Sequence, residues 1–248
     1  MKFWKITDRG MVRNENQDSF DTREIGSFHV AVVCDGMGGA KAGMTASRMV
    51  VACFMESLSL FLKDDMDADE VVKTGLAAVE RANSAVFGQS LADEACRGMG
   101  STLVAVISRG DRAVVFNVGD SRAYRINSTD IQLITRDHSL VQDMLEHGDI
   151  TAEEARSHPN RNLITRAMGT EPTVLCDTFP HKWEEGDYIF LCSDGLSNTV
   201  TDQEILYEVI HEGDIDQCLD RLLKISLGRG ASDNVTMILM KYEKEANA

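Results

Sequence analysis

Val32-Val33-Cys34-Asp35-Gly36-Met37-Gly38-Gly39-Ala40-Lys41-Ala42-Gly43 decides how this chain is read. An apolar run that begins at Phe28 reads as a strand and stops on an aspartate. A glycine-rich turn follows. Ala46, Met49, Val50, Cys53 and Phe54 then recur at helical spacing, so the turn joins a strand to a core-facing helix.

The same punctuation returns further along. Leu191-Cys192-Ser193-Asp194-Gly195 ends one apolar run, Val118-Gly119-Asp120 ends another, and Ser232-Asp233-Asn234 precedes the run from Val235 to Met240. Strands are also expected over Ser101 to Ile107, Ala113 to Val118, Arg122 to Ile126 and Tyr188 to Cys192. Ser108-Arg109-Gly110-Asp111-Arg112 reads as a hairpin turn rather than an adhesion motif. Val71, Val72, Leu76 and Val79 form a second helical stripe. Thr201 and Glu204 make a capping box ahead of a third, and Cys218, Leu219, Leu222 and Leu223 face the core from a fourth. Runs of strands outnumber strand–helix alternations, which favours packed antiparallel sheets covered by helices over a doubly wound parallel sheet. There is no repeat or Pro/Ser-rich linker, so residues 1–248 are expected to be one domain. The polar stretch from Asp137 to Thr170, with Glu153, Glu154, His158, Asn160, Arg161 and Asn162, reads as a surface insert or flap.

One aspartate at a strand exit is an ordinary turn former. Four such aspartates at one edge of a core would repel one another unless a cation sat among them. Carboxylate oxygens suit Mg²⁺ or Mn²⁺. The six histidines show no zinc spacing. Two nucleotide motifs fail on the residue that matters: a dinucleotide fingerprint from Gly36 meets Lys41 where it needs glycine, and a Walker loop from Gly38 meets Met44 where it needs lysine. The glycines instead let backbone approach a metal or a phosphate. Arg13, in Val12-Arg13-Asn14-Glu15-Asn16-Gln17-Asp18, offers a bidentate fork to an anion.

Composition sets the outer bounds. The chain has 43% hydrophobic and 26% charged residues, the mix of a globular protein, with a formal net charge of −15. That charge disfavours nucleic acid and anionic lipid as partners. No apolar run nears the ~18 residues of a membrane helix, and the N-terminus has no signal-peptide core. A cytoplasmic protein with no membrane or nucleic-acid partner is expected. Cys34, Cys53, Cys96, Cys176, Cys192 and Cys218 then read as reduced core residues. The sequons at Asn127 and Asn234 carry no meaning in that compartment.

Six motifs in order carry a resemblance that spans nearly the whole chain. They are Arg13-x-x-Asn16-Gln17-Asp18, Asp35-Gly36-Met37-Gly38-Gly39, Gly119-Asp120-Ser121-Arg122, Thr135-x-Asp137-His138-Ser139, Ser193-Asp194-Gly195 and Asp233-Asn234-Val235-Thr236. Together they resemble the type-2C metal-dependent serine/threonine protein phosphatases in their short bacterial form. The resemblance implies an α+β fold of two antiparallel β-sheets packed as a sandwich and flanked by helices, with a flap over 141–176. It implies two to three divalent ions, Mn²⁺ or Mg²⁺. Asp35 would bridge two of them, the Gly36 carbonyl would bind one, and Asp194 and Asp233 would complete the other. Asp18 would act through a metal-bound water, Asp120 with Asp194 would match a third, weaker site, and Arg13 would grip the substrate phosphate. The substrates implied are phosphorylated proteins, products of a serine/threonine kinase, attacked directly by a metal-bridged hydroxide without a phosphoenzyme. A monomer is expected.

The sequence departs from animal members at Met37, where they carry a histidine proposed as general acid, so that role is not transferred. His138 is the nearest imidazole in motif terms, and a loop or helix-start role is the reading adopted for it. No Cys-x5-Arg loop and no Asp35-x-Asp pair offers a phosphoenzyme route. The alternatives are a non-catalytic phosphoprotein-binding module on the same fold and a Mg²⁺-dependent nuclease, which the charge disfavours.

Overall fold

Strands buried on both faces explain why the sequence shows continuous apolar runs rather than alternation. The computed structural model describes residues 1–211 and 214–243; the rest of the 1–248 span, residues 212–213 and 244–248, lies outside the described residues. The strands are β1 (Lys2–Asp8), β2 (Asp18–Ile25), β3 (Phe28–Met37), β4 (Gly100–Ser101), β5 (Leu103–Arg109), β6 (Arg112–Val118), β7 (Arg122–Ile126), β8 (Ile131–Leu133), β9 (Asp177–Lys182), β10 (Tyr188–Cys192) and β11 (Val235–Lys241). The helices are α1 (Ala40–Phe61), α2 (Ala68–Ala92), α3 (Leu140–His147), α4 (Ala152–Ser157), α5 (Asp194–Ser197), α6 (Asp202–Ile210) and α7 (Cys218–Gly228). One sheet runs β1-β11-β10-β7-β8 and the other β2-β3-β5-β6-β9, with β4 on β3. Each of these pairings is antiparallel, as expected.

Alternate residues of β3 face two different cores. Val30, Val32 and Cys34 pack with Val50, Phe54 and Leu58 of α1 and with Val79 of α2. Ala31 and Val33 point the other way, toward Ile189, Leu191, Ile238 and Met240 of the opposite sheet. The outer face of that sheet, with Phe190, Met237 and Leu239, is covered by Leu196, Ile205 and Leu222 of α5, α6 and α7. The result is four layers, helices–sheet–sheet–helices, around three apolar interfaces. A fully buried Leu, Val or Phe contributes about 1.5–3 kcal/mol, so these interfaces dominate stability.

Several local expectations hold. Thr201 caps α6 by the reciprocal bonds with Glu204. Gly110 and Asp111 form the β5–β6 turn, with Gly110 at φ +59° as its first central residue requires. All six cysteines are free. Two corrections follow. The expected strand at Ser101 breaks at Thr102, whose N–H and hydroxyl both turn to Asp35. The Lys41–Phe61 segment of α1 is long and apolar enough, by length and composition, to cross a membrane. Its residues Ala46, Val50, Phe54 and Leu58 are fully buried against the sheet, the position of a core helix.

β1, β2, β8 and β9 escaped the sequence reading, and they are the four outer strands of the two sheets. Edge strands carry charge and proline to discourage further pairing. β1 holds Lys2 and Lys5, β2 holds Asp21, Arg23 and Glu24, and β9 holds Pro180. That chemistry erases the apolar pattern. Within 141–176 the chain forms α3 and α4 and returns along the core, where Met168 exchanges backbone hydrogen bonds with Ser101 at 2.8 and 3.0 Å.

Candidate active site

The cleft is built at one end of the sandwich, where four aspartates sit at or beside strand ends. Asp35 sits near the end of β3, Asp120 in the β6–β7 turn, Asp194 at the first residue of α5 after β10, and Asp233 just before β11. All four line one cleft of about 460 Å³, together with Arg13, Gly36, Met37, Gly38, Gly39 and Thr102. Asn162 and Ile164, from the 141–176 segment, complete its wall. Asp18 is buried behind the cleft at the start of β2, where its Oδ2 accepts the Ser193 hydroxyl at 2.7 Å.

Both Asp-Gly pairs need glycine because backbone packs directly on them. A Cβ at Gly36 would collide with the Gly43 carbonyl, and one at Gly195 with the Asn234 carbonyl. Gly38 and Gly39, at φ +113° and +89°, turn the chain into α1 through a region that side chains disfavour. Asp35 is gripped at its backbone: its N–H donates to Thr102 Oγ1 at 2.8 Å and its carbonyl accepts from Thr102 N–H at 2.8 Å and from the Ser101 hydroxyl at 2.9 Å.

The loop that carries Arg13 is clamped by a residue the sequence reading did not single out for this. Asn234 Oδ1 accepts the Gln17 N–H at 2.8 Å, and its Nδ2 donates to the Arg9 and Glu15 carbonyls at 2.9 and 3.0 Å. Arg13 Nη2 reaches Asp233 Oδ2 at 2.6 Å. Ser193 and Asn234 support the site without lining the cleft, and only their places beside the Asp motifs could have flagged them; Thr102 lines the cleft and no motif marks it.

Electrostatics set this cleft apart from an ordinary cluster of turns. Burial, and then Asp18, Asp194, Asp120 and Asp233, push the Asp35 carboxyl well above the usual range. Asp194 is raised well above it by burial and then by Asp120, Asp233 and Asp18. Burial takes Asp18 to about 6, while burial and then Asp137 take Asp120 to about 7. Asp18 Oδ1 and Asp194 Oδ1 are buried with no hydrogen-bond partner. Anionic oxygens left unpartnered beside one another are costly unless a cation compensates them. Among the described residues no three His, Cys, Asp or Glu side chains stand ready-made at ligand spacing. The cleft is therefore open and acidic, and its hard-oxygen donor set fits Mg²⁺ or Mn²⁺. His138 is not part of it: the ring is 1% exposed and occupied on both nitrogens.

Known proteins share this architecture. The protein phosphatase 2C family matches residues 12–240. The serine/threonine protein phosphatase PstP of Mycobacterium tuberculosis is 36% identical over 242 residues, which cover 96% of this chain and 44% of that protein. The chain thus spans less than half of the mycobacterial relative's length. The serine/threonine phosphatase stp of Listeria monocytogenes is 33% identical over 244 residues, 96% of this chain and 94% of that one. Among solved structures, Stp1 of Staphylococcus aureus superposes with a TM-score of 0.92 at 35% identity, covering 98% of this chain and 95% of its own. The four-layer fold is that of bacterial serine/threonine phosphatase structures, Stp1 among them. The chain belongs to the protein phosphatase 2C family.

Proposed function

We propose that this protein removes phosphate from phosphoserine and phosphothreonine in proteins, using two to three divalent ions, Mn²⁺ or Mg²⁺. The observation that carries the reading is the convergence of Asp35, Asp120, Asp194 and Asp233 from separate elements on one cleft, with buried carboxylate oxygens left unpartnered. Asp35, the Gly36 carbonyl, Asp194 and Asp233 would hold the two principal ions. Asp120 with Asp194 would serve a third, and Asp18 would act through an intervening water. Bound there, such ions activate water as a nucleophile and offset charge on the phosphoryl oxygens.

The chain's own residues supply the rest. Arg13 keeps guanidinium N–H groups beyond its bond to Asp233, and these bind the phosphoryl oxygens at the cleft mouth. Thr102, the cleft's hydroxyl side chain among the described residues, is committed to Asp35 N–H and Ser121. This supports direct hydrolysis, in which water adds to phosphorus as the bond from phosphorus to the serine or threonine oxygen breaks, and that oxygen takes up a proton in place of the one the attacking water gives up. The proposal extends to a single domain acting as a cytoplasmic monomer on the products of a serine/threonine kinase.

Release of inorganic phosphate from a phosphothreonine peptide, with and without Mn²⁺, tests the proposal. Metal-dependent release supports it. Peptide binding with no release would instead identify a non-catalytic phosphoprotein-binding module.

A further inference from the structure

Every polar group of His138 is spent, on Gly119, Thr165 and Asp177. Its backbone N–H donates to the Gly119 carbonyl at 3.0 Å, and its Nδ1 accepts the Gly119 N–H at 3.0 Å. One histidine thus holds both backbone groups of the residue that precedes Asp120. Its other two groups meet the returning limb of the 141–176 segment and the first residue of β9. The His138 carbonyl accepts the Thr165 N–H at 2.8 Å, and Nε2 lies 3.1 Å from Asp177 Oδ2.

The tautomer follows from the partners. An amide N–H only donates, so Nδ1 is bare and Nε2 carries the proton. Arg166 Nη1, 3.0 Å from Nε2 and 2.7 Å from Asp177 Oδ1, is then a second donor converging on the same carboxylate. Gly119 itself has little freedom: its φ is +107° and a Cβ there would strike Thr102. The turn that aims Asp120 into the cleft is therefore held at the Gly119 N–H by one buried ring, while the Gly119 carbonyl also accepts from Asn117 Nδ2 at 3.3 Å.

We propose that His138 is a positioning residue for Asp120, fixing the Gly119–Asp120 turn and linking it to the seating of the 141–176 segment through Asp177 and Arg166. The role of Asp120 rests on the phosphatase reading; the hydrogen-bond link does not.

Two conservative variants separate the two sides of the ring. His138→Asn keeps an acceptor near Nδ1 and loses the reach to Asp177. His138→Gln reaches toward Asp177 and gives up the acceptor for Gly119. With Mn²⁺ and an aryl phosphate, His138→Asn should retain kcat within about threefold, while His138→Gln should lose about tenfold or more with little change in KM. If His138 acts through Asp120, adding His138→Gln to Asp120→Asn should cost less than about twofold further. Equal effects of the two variants, or losses that multiply in the double variant, would overturn the assignment. Amide exchange at Gly119 in metal-free protein reads the link without any turnover. It should be slow in the parent and in His138→Asn and fast in His138→Gln; no difference refutes the link even if the parent is an active phosphatase. A parent that releases no phosphate sinks the function alone, and the exchange comparison still decides the link. Should neither histidine variant fold, nitrogen NMR of the His138 ring in the metal-free parent must show Nδ1 unprotonated and Nε2 protonated, and a protonated Nδ1 refutes the proposal.

Discussion

Asp18 and Asp35 stand directly opposite each other across the β2–β3 ladder. Cross-strand partners project to the same face with Cβ atoms about 5 Å apart, a spacing at which like charges destabilise a sheet. Here the buried Asp18 is held by Ser193, and Asp35 looks into the cleft. Asp120, Asp194 and Asp233 crowd the same end of the sandwich. The arrangement works against the stability of the empty fold and prepares it for cations.

Metal should therefore act on stability as well as turnover. Chelation should abolish phosphate release, and Mn²⁺ or Mg²⁺ should restore it. At a hundredfold excess over Kd, binding stabilises the fold by about 2.7 kcal/mol. For a domain this size that corresponds to a Tm rise of about 5 °C or more. Thermal scans in chelator and in Mn²⁺ check this, and identical Tm values would contradict it.

Asp35→Asn and Asp194→Asn should each lower kcat by about a hundredfold or more, since each removes a charge facing the ions. The same changes should raise the metal-free Tm, because fewer buried carboxylates repel one another. Unaltered kcat would return these residues to the status of turn formers.

Arg13→Ala should act mainly on substrate binding. A charge-assisted contact contributes about 1.5–3 kcal/mol, so KM for a phosphopeptide should rise about tenfold or more, with a smaller change in kcat. Steady-state kinetics settle the point, and unchanged constants would mark Arg13 as a partner of Asp233 only.

Without metal, stability should fall as pH rises from about 4 to about 7. The Asp18 and Asp120 carboxyls titrate near 6 and 7 in the fold, above their ordinary 3.8. A group with a raised folded pKa binds its proton more tightly when folded, so its stabilising contribution is present below the unfolded pKa and lost as pH climbs through the folded one. Denaturation midpoints in chelator at pH 5 and pH 8 test this sign; a metal-free protein more stable at pH 8 would reverse it.

Leaving-group chemistry should reveal how the departing oxygen gains its proton. Met37 lines the cleft, and among the described residues no histidine does. Rates across aryl phosphates should depend steeply on the pKa of the leaving phenol. His138→Ala should lower the rates without changing that slope, since both ring nitrogens are engaged away from the cleft. A steeper slope in that variant would make His138 the acid.

Much of this is legible in the chain itself. β7 and β10 are found at Arg122–Ile126 and Tyr188–Cys192, the bounds the apolar runs indicate: β10 is buried from Ile189 to Cys192 and carries only apolar residues there, while β7 keeps Arg122 and Arg125 half-buried between buried neighbours. The capping box at Thr201 was equally plain, being a bond pattern within one turn. Ser193 and Asn234 were visible only as neighbours of aspartates, and nothing local shows that one holds Asp18 and the other the Arg13 loop.

The interiors of the central strands, the helix faces and the acidic and glycine residues that bound the cleft are legible in the chain, because each is written in a period or a dipeptide. Which carboxylates meet, where the edge strands run, and the place of His138 in the frame rather than the cleft follow from the folded arrangement alone. The Gln17–Asn234 bond joins residues 217 positions apart, and the Gly119–His138 bond joins a turn to the loop that leads into the 141–176 segment. Such contacts depend on how layers stack, and no local pattern in the chain records the geometry of stacking.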